Sequence, residues 1–183
     1  MSLTITNAGN SVTPSVGPIR SGGQVIRVRP TLTDGDLMDA NDVAIEPTAI
    51  PNAVNKLGGT SKLVALSILD YDKENHDMDI VFMQKGTKLG NVDAAVSISD
   101  SDMKAAGYLG LLSVDWSEST TSLQNVDVFT VDTTAQTANI IKLPMLLQAE
   151  LNSTDVYFTI VVRENSTWTA VDDLEFVFHI EYL

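Results

Sequence analysis

The sequence predicts an all-β fold: an antiparallel β-sandwich or jelly-roll-like single domain of about eight strands, with one short helix and an extended N-terminal arm. Three observations predict it. Short runs rich in Val, Ile, Phe and Thr recur from Gly23 onward, separated by Asp, Asn, Gly and Ser clusters. The clearest of these runs alternate apolar and polar residues with the period of a half-buried strand. Beyond one short stretch, no segment carries a helix-length amphipathic repeat, which removes Rossmann, P-loop and α/β-barrel architectures, and a chain of 183 residues suits one domain.

Taken in order, residues 1–22 are rich in Ser, Thr, Gly and Pro and read as an extended arm, with the sandwich domain spanning 23–183. "GQVIRVR" is the first strand candidate; it either continues the arm or belongs to the body with Arg27 and Arg29 on one exposed face. Residues 31–60 hold Pro47 and Pro51 and read as an extended loop with one edge strand. "KLVALSILD" and "MDIVFMQ" are apolar on both faces, the pattern of central strands. The charged segment between them reads as a hairpin turn that keeps the end of the sheet soluble. Ser99 followed by Asp102, with acids at the helix start and Gly107 as a stop, predicts a helix of roughly two turns. "YLGLLSV", "NVDVFTV" and "ANIIKL" follow as strands, the last ended by Pro144, which cannot donate to a ladder. "DVYFTIVVR" turns Val156, Phe158, Ile160 and Val162 one way. In "DLEFVFHIEYL" the residues Leu174, Phe176, Phe178, Ile180 and Tyr182 share one face, opposite Glu175, Val177, His179 and Glu181.

Composition narrows the function. With 44% apolar and 19% charged residues the chain reads as globular, and no apolar run approaches the roughly 20 residues that span a bilayer, so no membrane is expected as a partner. The N-terminus lacks both the early positive charge and the apolar core of a secretory signal. Zero cysteines exclude disulfides, thiol nucleophiles and thiolate metal sites. A net charge of −13 and a pI near 4.2 argue against direct binding of nucleic acid, which demands a basic surface. The charge is uneven: residues 1–33 carry Arg20, Arg27 and Arg29 and no acid, so the other 150 residues carry −16. Those three arginines are the candidate partner-binding residues, set to dock on an acidic surface of the chain itself or of a neighbour.

Catalytic chemistry finds little support. His76 sits in the charged turn and reads as solvated, His179 reads as a strand residue among carboxylates, and no G-x-S-x-G elbow is present. Asp70, Asp72 and Glu74 match the first three ligand positions of an EF-hand loop, but Asn75 replaces the glycine and Val81 the bidentate glutamate. They stand as incomplete calcium candidates, and no cofactor is expected. Trp116 and Trp168 flank Ser/Thr-rich segments and read as core or interface anchors; a glycan-binding module needs one of them in an exposed cleft.

The stretch from Ile50 to Val114 supplies a further expectation. Its "IPNAV", paired glycine, "LD" with a charged turn, "DIVF", "LG" and "AVSISD" before a short helix resemble small structural proteins of tailed double-stranded DNA bacteriophages. The resemblance covers roughly a third of the chain and contains no catalytic signature. It implies a virion protein without enzymatic activity, a capsid decoration or cement protein on the outside of the head. The implied partners are the major capsid protein and further copies of this chain, with a trimer favoured. A neck, tail or fibre protein and a non-catalytic glycan-binding β-sandwich are the alternatives.

Overall fold

The computed structural model describes residues 6–7, 10–11, 22–33, 35–117, 120–131 and 143–183. β1 (Thr6–Asn7) and β2 (Asn10–Ser11) pair with each other. The remaining strands form two antiparallel sheets. The larger contains β3 (Gly23–Val28), β12 (Leu174–Tyr182), β5 (Thr60–Asp70), β9 (Asp127–Val131) and β8 (Thr120–Ser122) in that order. β10 (Met145–Gln148) joins the edge of β5 that β9 leaves free: β9 faces Leu66 to Asp70, and β10 faces Thr60 to Leu63. The smaller sheet has the order β4 (Thr48–Ile50), β11 (Val156–Val162), β6 (Met78–Met83) and β7 (Tyr108–Val114). The predicted all-β domain is therefore present, with more strands than the sequence pattern reveals.

The alternation in β12 and β11 works as the sequence predicts. Phe176 and Phe178 from the larger sheet meet Phe158 and Phe82 from the smaller one, with ring centroids 5.1 to 6.3 Å apart. β5 looks apolar on both faces for a different reason. It inserts one extra residue at Val64, where the pairing jumps from His179–Ala65 to Ile180–Leu63. This bulge reverses the parity of the strand, so Ser61 and Leu63 point inward before it and Leu66, Ile68 and Asp70 after it. β6 is apolar on both faces because both are covered. Ile80 and Phe82 enter the main core, while Val81 and Met83 join a second apolar cluster with Val43, Leu89 and Ala106.

Helix α1 (Asp100–Ala106) helps to build that second cluster. Ser99 Oγ accepts the Asp102 amide, and Gly107 closes the helix at φ 66°. Two expectations are corrected here. β5 and β6 lie in different sheets, so the segment 71–77 is an arch crossing the sandwich and not a hairpin: the partners of β5 are β12, β9 and β10, and those of β6 are β11 and β7. The strand expected at "ANIIKL" falls outside the described residues except for Leu143, and β10 begins just after Pro144, where a missing N–H is tolerated.

Candidate functional site

The arch between β5 and β6 is organised by one carboxylate. Asp70, 1% exposed at the end of β5, accepts the amides of Asp72 at 3.1 Å and Lys73 at 2.7 Å on Oδ1, and of Asn75 at 2.7 Å on Oδ2. Lys73 and Asn75 take φ values of 62° and 56°, which turn their amides toward it. Asn75 Nδ2 then donates to Asp127 on β9 at 2.9 Å, and Lys73 Nζ donates to the Leu123 carbonyl at 2.6 Å. The Asn75 bond first, then a side-chain hydrogen bond from Ser122 and the charge of Lys73, whose Nζ lies 3.5 Å from Asp127 Oδ1, hold the Asp127 carboxyl below its usual range.

Asp70 is thus surrounded by donors, a poor setting for a cation ligand. Asp72 instead accepts the Thr169 hydroxyl at 2.7 Å. Among the described residues no group of three or more His, Asp or Glu is placed to hold a metal ion, so Asp70, Asp72 and Glu74 are not brought together as a calcium site. His76 is also corrected: it is packed, not solvated. Its ring meets Trp168 edge-on at 5.4 Å, with Nε2 2.9 Å from the Thr167 carbonyl and Nδ1 3.8 Å from Glu164. Trp168 and Trp116 are 1% and 4% exposed, so neither forms an open aromatic platform.

Beside the arch lies an open cleft of about 520 Å³, lined by Asn75, Asp77, Asp115, Trp116, Ser117 and Glu164. Burial pushes Asp77 above the usual aspartate range, and the carboxylates of Asp115 and Glu164 add to it. Three acids from three loops meet here, yet each is tied into the local backbone. Asp77 accepts the Trp116 amide at 3.0 Å, Glu164 accepts the Asp77 amide at 3.1 Å, and Asp115 accepts the Ser117 amide and hydroxyl at 3.0 and 2.6 Å. These bonds are the means by which neighbouring loops are fixed.

The arginines are placed by strand pairing. Arg27 sits opposite Val177 on β12, and two residues further on Arg29 reaches the same carboxylate. Glu175, 4% exposed, receives Arg27 Nη1 at 2.5 Å, Arg29 Nε at 2.8 Å and the Tyr71 hydroxyl at 3.0 Å, while the Arg29 guanidinium lies 4.9 Å from the centre of the Tyr71 ring. Arg27 and Arg29 therefore bind an acid of their own chain; Arg20 lies outside the described residues. The other expected imidazole, His179, stands on the outer face of β12 between Val25 and Ala65. The sequence shows Arg27 and Arg29 at i and i+2 but gives no register, so Glu175 as their partner was not legible.

Burial pushes the Glu175 carboxyl upward, but the hydrogen bonds from Arg27, Arg29 and Tyr71 outweigh it and hold the group below its usual value of 4.5. A lowered folded-state pKa contributes stability that is complete above the unfolded value and lost as pH falls through the folded one. Glu175→Gln is therefore expected to lower the urea midpoint at pH 7. The gap to the unsubstituted chain should close as pH falls through the folded Glu175 value. A gap independent of pH would show that packing, not charge, holds β3 in place.

Compared with known protein families, curated proteins and solved structures, the chain matches none.

Proposed function

We propose that this chain is a non-catalytic virion structural protein of the capsid decoration type, which binds the outer surface of a tailed-phage head at subunit junctions and stabilises the assembled shell. The resemblance of Ile50–Val114 to small phage structural proteins motivates the reading, and one feature of the surface supports it. At the pole opposite the arch, the loops 51–59 and 149–155 are bonded together through Gly58 N to the Ser153 carbonyl and Val54 N to the Thr154 carbonyl, both at 3.0 Å. They present Leu57 and Leu151, 65% and 81% exposed. Gly58, at φ +64°, allows this approach, since a Cβ there meets the Leu151 Cα at 3.0 Å. The chain enters β3 at the same pole, where the Tyr182 amide donates to the Gly22 carbonyl at 3.2 Å. An apolar tip beside the N-terminal segment suits attachment, and the carboxylate-rich arch pole then faces solvent. A ligand that binds only the assembled shell stabilises it by mass action.

Quantitative mass spectrometry of purified virions tests the role. A copy number near that of the major capsid protein is expected; a handful of copies moves the protein to the neck or tail, and absence overturns the reading. The paired substitution Leu57→Asp and Leu151→Asp tests the surface. It should weaken attachment by about tenfold or more, since an exposed leucine buried on binding contributes about 1.5–3 kcal/mol, while leaving thermal unfolding of the free chain unchanged. Undiminished attachment would remove this pole from the interface. Trp116 and Trp168 are both buried, so neither offers the glycan-binding alternative an exposed tryptophan.

A further inference from the structure

We propose that the outer face of the larger sheet is the contact between two copies of this chain, packed face to face about a two-fold axis that crosses the strands at the row Val25, His179 and Ala65. The two sheets differ in their cover. Over the smaller one, Val43, Leu89 and Ala106 close on Val81 and Met83. Among the described residues nothing comparable lies over the larger one, where Val25 on β3, Val64 at the β5 bulge and Leu146 on β10 are 53%, 37% and 55% exposed. Strand register sets them in neighbouring rows. Val25 lies opposite His179, and His179 opposite Ala65 with Val64 beside it; the next row runs Gly23, Glu181, Lys62 and Leu146. Apolar side chains gathered on one sheet face and rimmed by charges mark a surface that a partner covers.

Charge identifies the partner. On the other side of the Val25 row stands Arg27, opposite Val177, so the axial row has a cation on one flank and Glu181 on the other. A two-fold axis through that row reverses the strand direction. It lays the Arg27 row of one copy over the Glu181 row of the other, and because β3 and β12 are adjacent the two side chains meet about one strand spacing, roughly 4.8 Å, apart sideways. The contact is made twice, as an isologous interface requires. Both side chains are more than half exposed; Arg27 gives Nη1 to Glu175 and has further N–H groups to donate, while Glu181 lies 3.6 Å from Lys62. The charged residues that these strands turn outward, Arg27, Lys62, Glu175 and Glu181, cancel, although the chain carries −13. Two copies therefore meet here without the like-charge repulsion that the rest of the surface imposes. The axis also points the two Leu57–Leu151 tips in opposite directions, so the pair is a state of the free chain, independent of attachment to a shell.

Sedimentation equilibrium of the full chain at low ionic strength, over a wide concentration range, tests the pair. A mass of twice 19.7 kDa is expected at the high end. Val64→Asp should weaken the association about tenfold or more, since both copies lose an apolar contact, and Glu181→Lys should weaken it by placing a second cation against Arg27. Both positions are exposed, so thermal unfolding of these variants should match the unsubstituted chain. Because the sequence has no cysteine, Val25→Cys sets a single thiol on the axis. A bismaleimide that spans the roughly 10 Å between packed sheets should join it to its counterpart, whereas Val96→Cys, exposed on the loop before α1, should stay unlinked. A monomer at every concentration leaves the face to a different protein and overturns the pair. A trimer mass does the same, as does a dimer that neither Val64→Asp nor Glu181→Lys weakens.

Discussion

Phe158→Ala is expected to destabilise the chain by about 3–5 kcal/mol, the range for a large buried aromatic whose cavity cannot collapse. Phe158 is fully buried on β11 and bridges the two sheets. Its ring centroid lies 5.1 Å from that of Phe176 and 5.2 Å from that of Phe178, both on β12. Phe176 and Phe178 are themselves stacked at 6.1 Å, and Phe82 meets Phe178 edge-on. Truncation removes the ring in contact with both β12 aromatics while their backbone stays fixed by pairing to β3 and β5. The surrounding residues are therefore poorly placed to fill the space. Urea unfolding followed by Trp fluorescence measures the loss. Phe158→Leu, which keeps more of the volume, should cost less than half as much. A loss below about 1.5 kcal/mol for the alanine variant would mean that the sheets close over the gap, contrary to the rigidity argued here.

What the sequence revealed and what it hid divide along the range of the interactions concerned. The faces of β12 and β11 were legible because alternation is a local property, and so was α1, where Ser99, Asp102 and Gly107 satisfy the helix ends from within a few residues. The arch was misread as a hairpin because residues 71–77 suit both. What distinguishes them is that β5 finds β12 and β9 while β6 finds β11 and β7, far along the chain. β8 and β10 are three and four residues long and take their extended form from β9 and β5, not from their own composition.

The same distinction governs the charged residues. Asp70 caps amides within five positions and could have been read as a turn-capping aspartate. Glu175, Thr169 and Trp168 act on residues roughly a hundred positions away, the last two reaching Asp72 and His76 across the gap between the β5–β6 and β11–β12 connections. Their roles appear only once the register of β12 against β3 and β5 is known. The acidic run, an incomplete calcium match in the sequence, is put to other use in the folded chain, where Asp70 and Asp77 accept backbone amides and Asp72 accepts the Thr169 hydroxyl.

That use leads to the other large effect: Asp70→Ala should destabilise the chain by about 3 kcal/mol, although the residue contributes almost nothing to the apolar core. Its carboxylate satisfies three amides, and hydrogen bonds to a charged acceptor are worth about 1.5–3 kcal/mol each before water replaces part of the loss. It also holds Lys73 and Asn75 in the left-handed region, where a residue with a side chain costs roughly 1–2 kcal/mol without compensation. Without the carboxylate the arch has no reason to keep those two conformations, and Asn75 no longer reaches Asp127. Asp70→Asn should lose about half as much, because its one oxygen can still accept while its amide nitrogen meets amide donors. Equilibrium unfolding in urea measures both variants. The midpoints should fall in the order unsubstituted chain, Asn, Ala, with an unchanged slope. Equal midpoints for all three would show that water caps the arch as well as Asp70 does.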